Sequence, residues 1–163
     1  FDVAHGFALH GDALFSGFYV LELLTRLVAE RQKEPEIFAG AVSALTAMEA
    51  GQELQAALRC FELDLLGQLG YAVVLDQDVD AGTGINADAY YRYQPQIGFA
   101  QVAGAAETAT DPAVIRGQWL QCIQRRDFTE PQTRRAAKYI TRQALQEILG
   151  EKPLISRKML GSR

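Results

Sequence analysis

The chain has 163 residues, 48% of them hydrophobic, which is enough for one well-cored domain and too little for two. Its richest apolar run is interrupted by Glu22 and Arg26 and falls short of the ~18 residues of a membrane span, so no membrane partner is expected. The net charge of −4 hides a split: from Arg116 onward eleven Lys or Arg stand against four Asp or Glu, and before it five against sixteen. A basic C-terminal third on an acidic body points to a polyanion on one side, or to attraction between the two halves within the fold.

Taken in order, His5 and His10 lie in a glycine-containing segment with no partner ligands nearby and read as solvated histidines. Residues 13–33 form the first predicted helix, with Leu14, Phe18, Leu21, Leu24 and Val28 on one face. Pro35 opens a second, with Phe38, Val42, Leu45 and Met48 inward, and Gly51 ends it. The third, from about Glu53, is the centre of the chain. Leu54, Leu58, Phe61, Leu65 and Leu69 recur at helical spacing, and the apolar arc continues through Leu66 to Leu63, so this helix must face two partners. Gly70 stops it with a left-handed residue, and Tyr71 follows as a side chain able to pack back on the last turn. Glu62 sits inside the arc and Arg59 at its edge. An unpaired carboxylate there would be strongly disfavoured, so Glu62 is expected to be partly buried and paired with an arginine, with Arg135 of the basic C-terminal helix as the donor. Cys60 in this helix and Cys122 far downstream make no disulfide framework, which suits a reducing cytosol.

Beyond Tyr71 the pattern becomes β-like. Residues 72–75 read as a strand, residues 89–93 as an aromatic-rich one, and residues 98–102 as its hairpin partner. Between them, DQDVDAG places Asp76, Asp78 and Asp80 at alternate positions as a calcium loop does. Ala81 stands where the sharp-turn glycine belongs and Ala87 at the twelfth position, so a solvated turn is the expectation. Tyr90, Tyr91, Tyr93 and Phe99 should hold the hairpin by packing, although exposed tyrosines could also stack on bases.

Asp111 and Pro112 read as the start of a helix running through Val114, Ile115, Trp119 or Leu120 and Ile123 to Arg125 and Arg126. Those two arginines suit the negative end of the helix as well as they suit DNA. Pro131 begins the last long helix and Gly150 closes it. Ala137, Ile140, Ala144 and Ile148 take one face. Arg134, Arg135, Lys138 and Arg142 fall within about 100° of each other on another. This cationic stripe, extended by Lys152 and Arg157, is the expected DNA-binding surface. It has no pattern for reading bases and would contact phosphates, with a solvated face or pairing to the acidic half as the competing reading.

The segments LRCFELDLLGQLGY, YYRY, RRAAKYITRQAL and KPLISRKML, in this order over residues 21–160, resemble the C-terminal part of RecO, a family of bacterial recombination mediators. The resemblance implies a mainly α fold, a helical domain with a small β-hairpin insertion: residues 1–12 connecting from a missing N-terminal OB-fold, 13–163 the helical domain, and 72–102 the insertion. In many members this hairpin carries four zinc-binding cysteines; here there are none, so no metal and no cofactor are expected.

No Gly-rich phosphate loop, HExxH, GxSxG or Cys–His pair offers catalysis. What the resemblance implies instead is a cytoplasmic, nucleoid-associated, non-catalytic mediator of DNA repair. It would bind single- and double-stranded DNA, anneal strands, and work with RecR to load RecA onto DNA covered by single-stranded DNA-binding protein (SSB). It also implies that Arg59, just ahead of the Phe-Glu pair, with Leu63 and Leu66 beside it, takes the C-terminal tail of SSB. An ordinary exchange of charge with Glu62 one turn on is the alternative for Arg59. A helical protein-interaction module without DNA binding is the alternative for the whole chain.

Overall fold

A computed structural model describes residues 6–28, 35–104, 110–150 and 154–156. Among them are five helices, α1 (Asp12–Val28), α2 (Pro35–Glu49), α3 (Leu54–Gln68), α4 (Gly117–Gln124) and α5 (Pro131–Leu149), and three strands, β1 (Tyr90–Gln94), β2 (Gly98–Val102) and β3 (Val114–Arg116). The fold is the expected mainly α one. It differs from expectation in having a three-stranded antiparallel sheet, ordered β2-β1-β3, where a two-stranded hairpin was foreseen.

Helix α3 separates two hydrophobic cores. Leu58, Phe61, Leu65 and Leu66 pack with α1, α2 and the C-terminal half of α5, while Leu63 on its other side joins the sheet, α4 and the N-terminal half of α5. Its ends are defined locally. The Glu53 carboxylate accepts from the N–H groups of Gln55 and Ala56 at 3.1 and 2.6 Å. At the other end Tyr71 N–H donates to Leu66 O and Gly70 N–H to Gly67 O, with Gly70 at φ +86°, a closure that needs a residue free to turn left-handed. Tyr71 does not pack back as expected; it is 40% exposed.

In the second core Tyr91, opposite Ile115, and Tyr93, opposite Phe99, project from one side of the sheet and are all buried. The Tyr93 and Phe99 rings lie 4.9 Å apart. Three of the four aromatic residues expected to hold the hairpin therefore do so as core, and Tyr90 is half-buried.

Several expectations are corrected. In α1 the expected face is largely the outer one: Leu14, Phe18 and Leu21 are exposed, while Ser16, Tyr19, Val20 and Leu23 are buried with Leu24 and Val28. At Gly17 a Cβ would lie 2.6 Å from the end of the Leu9 side chain and in ordinary contact, 3.6 Å, with Leu45 of α2, so Leu9 packs directly over the glycine. The α2 face shifts as well, burying Ile37, Ala41 and Ala44 beside Leu45 and Met48, and leaving Val42 exposed and Phe38 half-buried. The expected end of the first helix, residues 29–33, lies outside the described residues.

Residues 72–75 join no strand, and Val114 and Ile115 form a strand instead of a helix. Asp111 does not cap a helix: its carboxylate accepts from Ala113 N–H at 2.9 Å and pairs with Arg92 at 2.8 Å, making a turn that feeds the β-branched Val-Ile pair into the sheet. The Asp76–Asp80 turn is not simply solvated either. Asp78 is only 2% exposed and accepts from the N–H groups of Asp80 and Ala81 in its own loop and of Gln101 on β2.

Candidate nucleic-acid interface

Helix α5 carries the cationic stripe because its two faces differ in composition. Thr133, Ala136, Ala137, Ile140, Thr141, Ala144 and Leu145 are buried between the two cores, which fixes the rotation of the helix. The opposite side then has to face water. Arg135, Lys138 and Arg142 are exposed there at i, i+3 and i+7, so their backbone positions span about 10 Å along the axis. Arg134 departs from the stripe: it is half-buried and its Nη1 donates to the carbonyls of Phe128 and Thr129, both at 2.7 Å, binding the preceding loop to the first turn of the helix. Lys152 and Arg157 lie outside the described residues. Tyr139 is half-buried against the second core.

Arg59, Leu63 and Leu66 are brought together on α3, but not as an open notch: all three are buried. Arg59 Nη2 donates to Glu62 Oε1 at 3.1 Å, and Tyr19 OH donates to the same oxygen at 2.5 Å. Arg59 Nε lies 2.9 Å from Glu62 Oε2, a contact of charge whose N–H direction misses the oxygen. Glu62 is thus buried and paired with an arginine as expected, but the donor is Arg59 and not Arg135. A partner one turn away on the same helix reaches the carboxylate without crossing the core, and it leaves Arg135 in solvent. An incoming carboxylate would have to displace Glu62 to reach this guanidinium.

Nearby, a cavity of about 430 Å³ opens between α2, α3 and the end of α4, with Phe61, Leu63 and Leu75 among its apolar walls and Arg126 at its rim. Arg126 occupies a left-handed position, φ 59°, where the end of α4 closes through Arg126 N–H to Ile123 O and Asp127 N–H to Cys122 O. Glycine is the usual residue there. The arginine instead reaches across to Asp64, with Nη2 2.8 Å from its carboxylate. Sequence reasoning missed this site; the available signal was the absence of glycine after a helix that ends in QRRDF. Cys60 lies beside it, and burial pushes its thiol pKa up, with Arg126 opposing and Asp64 reinforcing.

The hairpin region offers no ligand set for a structural zinc. Its residues 72–102 contain no cysteine, and among the described residues no three His, Cys, Asp or Glu converge. Packing and turn hydrogen bonds do the corresponding structural work. Among the described residues, no helix is long and apolar enough to cross a membrane.

Comparison with known proteins agrees with this architecture. The model of the family described as "Recombination protein O C terminal" matches residues 9–158. The chain is 42% identical over 155 residues to the DNA repair protein RecO of Pseudomonas putida (strain W619), covering 95% of this chain and 66% of that one. It is 40% identical over 155 residues to the DNA repair protein RecO of Pseudomonas aeruginosa (strain LESB58), covering 95% and 64%. The chain therefore spans about two thirds of the length of the curated relatives it matches. With its helical body, its small sheet and a match over nearly its whole length, the chain belongs to the RecO C-terminal family.

Proposed function

We propose that this chain is the helical part of a DNA repair mediator and that α5 gives it a sequence-independent grip on the DNA backbone. The observation that carries the reading is the face of Arg135, Lys138 and Arg142, exposed together on a helix whose other side is locked in the core. Cations held at this spacing on a rigid element neutralise phosphates without ordering a flexible loop, and they have no geometry for base edges. The relatives named RecO support placing this in DNA repair. Strand annealing, cooperation with RecR, loading of RecA and a place in the cytoplasm near the nucleoid complete the proposal, all without catalysis.

The test is retention of an oligo-dT strand as salt is varied. log K should fall by roughly 0.7 for each log unit of salt per phosphate neutralised. The folded triple variant Arg135→Ala, Lys138→Ala, Arg142→Ala should bind more weakly and with a shallower slope. Equal affinity and slope would assign the chain to protein interaction alone.

For the SSB tail, the cavity beside Leu63 and Arg126 supports the reading better than Arg59 does. A tail ending in an apolar side chain and a carboxylate needs an apolar floor next to a guanidinium, and this cavity offers both. Arg126 would exchange its partly exposed partner Asp64 for the ligand, a weak pair to give up. Arg126→Ala should lower affinity for a tail peptide while Arg135→Ala leaves it unchanged.

A further inference from the structure

We propose, resting on the tail reading of the cavity beside Leu63, that Asp64 is an internal competitor for Arg126. It holds the guanidinium until a polypeptide C-terminus with an apolar last side chain displaces it, and so keeps weaker anions off the site. Arg126 occupies a backbone conformation, φ 59°, that favours glycine, and it is fixed there by Arg126 N–H to Ile123 O and Asp127 N–H to Cys122 O. A β-carbon at such a position is kept at an energetic cost, and the side chain it carries puts a guanidinium on the wall of the cavity. That guanidinium already holds a carboxylate, with Arg126 Nη2 2.8 Å from Asp64 Oδ1.

Asp64 stands on α3 between Leu63 and Leu65, both buried, so its backbone is fixed and side-chain rotation alone separates it from Arg126. Tethered in this way, it competes at an effective concentration of roughly millimolar or above against any free anion. The pair is nevertheless shallow. The Asp64 side chain is 62% exposed and that of Arg126 39%, so water screens the attraction and a ligand with a second foothold can break it.

The second foothold is the cavity, about 430 Å³, with Ile37, Phe61, Leu63, Val73 and Leu75 on its walls. An anion without an apolar group gains only the guanidinium and does not overcome Asp64. A chain terminus gains guanidinium and walls together, and its carboxylate can take two parallel bonds. Glu36 also lines the cavity, so one guanidinium stands there with two carboxylates, and a phosphate polymer is disfavoured as the occupant. The site thus answers to apolar contact, whereas the exposed cations of α5 answer to charge.

The test uses the isotope-labelled chain, following the Arg126 Nε–H and Asp64 carboxyl carbon resonances during titration. The probes are hydrocinnamate, a phenyl group on a short carboxylate, and its neutral amide, with oligo-dT as the phosphate control. Hydrocinnamate should move both resonances with a dissociation constant of roughly 1–10 mM, and oligo-dT should move neither. Asp64→Asn should tighten hydrocinnamate about threefold and leave the amide unchanged, because only the carboxylate has to displace Asp64. Glu36→Gln, which removes a carboxylate that does not hold Arg126, should have less than half that effect on log Kd. Arg126→Gly suits the left-handed backbone and so keeps the fold; it should erase the preference for the acid over the amide. If hydrocinnamate binding depends on Arg126 but is equally tight with Asp64→Asn, or if Glu36→Gln matches Asp64→Asn, the competitor role is overturned and the tail reading stands. Hydrocinnamate moving neither resonance, or oligo-dT moving that of Arg126, would overturn both.

Discussion

Tyr19 and Glu62, 43 residues apart, meet in the first core, where the tyrosine hydroxyl donates to Glu62 Oε1 at 2.5 Å while Arg59 holds the same carboxylate from one turn away. The ion pair is almost wholly withdrawn from water, with the side chains of Arg59 and Glu62 6% and 3% exposed. Glu62→Ala should cost about 3–5 kcal/mol because it strands the guanidinium, whereas Arg59→Met with Glu62→Leu should recover most of that. Tyr19→Phe should cost about 2 kcal/mol. Urea unfolding measures all three, and a loss below 1 kcal/mol for Glu62→Ala would mean that the pair is not buried in solution.

The four cations of the expected stripe should separate into two classes. Arg134→Ala removes two hydrogen bonds to carbonyls and should lower stability by about 1–3 kcal/mol, with little effect on the salt dependence of DNA binding. Arg135→Ala, Lys138→Ala and Arg142→Ala should each leave the melting temperature nearly unchanged and lower the salt slope by a little under one unit. Thermal melts paired with salt titrations distinguish them; an Arg134 variant of normal stability with a reduced slope would contradict the assignment.

Stability should fall on acidification. Hydrogen bonds from Ala81, Asp80 and Gln101 hold the Asp78 carboxyl below its usual range. Those from Ala113 and Arg92 do so for Asp111, and those from Thr129 for Asp127. At Glu22, burial is the largest influence and opposes ionisation, but hydrogen bonds from Ser156 and Ile155, together with Arg26, outweigh it. With the folded pKa below the unfolded one, the unfolded chain binds more protons. The contribution is therefore complete above the unfolded value of about 4 and is lost as pH falls through each folded value. Asp78→Asn should flatten the pH dependence of the urea midpoint below about pH 4; an unchanged profile would remove Asp78 as a contributor.

Glu22 also fastens Ile155 and Ser156 to α1, accepting from Ile155 N–H at 2.9 Å and from the Ser156 N–H and hydroxyl at 3.1 and 2.7 Å, next to the buried Leu154. Glu22→Ala should speed amide exchange at Ile155 and Ser156 severalfold while leaving the sheet protected. Unaltered exchange at those two amides would show that Leu154 alone anchors the segment.

Two glycines should respond oppositely to alanine. At Gly117 a Cβ would lie 1.9 Å from Asn86 O, a backbone atom that cannot move aside cheaply, so Gly117→Ala should cost at least about 2 kcal/mol. Gly40 lies within α2 with nothing within 4 Å of such a Cβ, so Gly40→Ala should stabilise by about 0.5–1 kcal/mol. Thermal denaturation of the two variants checks both signs.

By itself the sequence determined the elements whose signals are local: the span of α3 and its stop at Gly70, Pro131 and Gly150 bounding α5, the β1–β2 pairing, and the two-sided demand on α3 that the two cores meet. It also determined that Glu62 needed an arginine, since a buried carboxylate without one is too costly on any fold. Only the tertiary structure decided which arginine, because Arg59 and Arg135 satisfy the same electrostatic requirement and packing distance chooses between them. It decided the buried face of α1 as well, where Tyr19, Val20 and Leu23 turn to the core and the better-looking stripe of Leu14, Phe18 and Leu21 turns out, because a helix that is apolar on more than one side is oriented by its neighbours. The turn at Asp111 and the third strand were hidden because the same Asp-Pro start serves a helix or a turn, and the choice rests on Arg92, 19 residues away. The cationic face could be read from spacing, but the loss of Arg134 to the carbonyls of Phe128 and Thr129 could not, since it depends on where the preceding loop folds back.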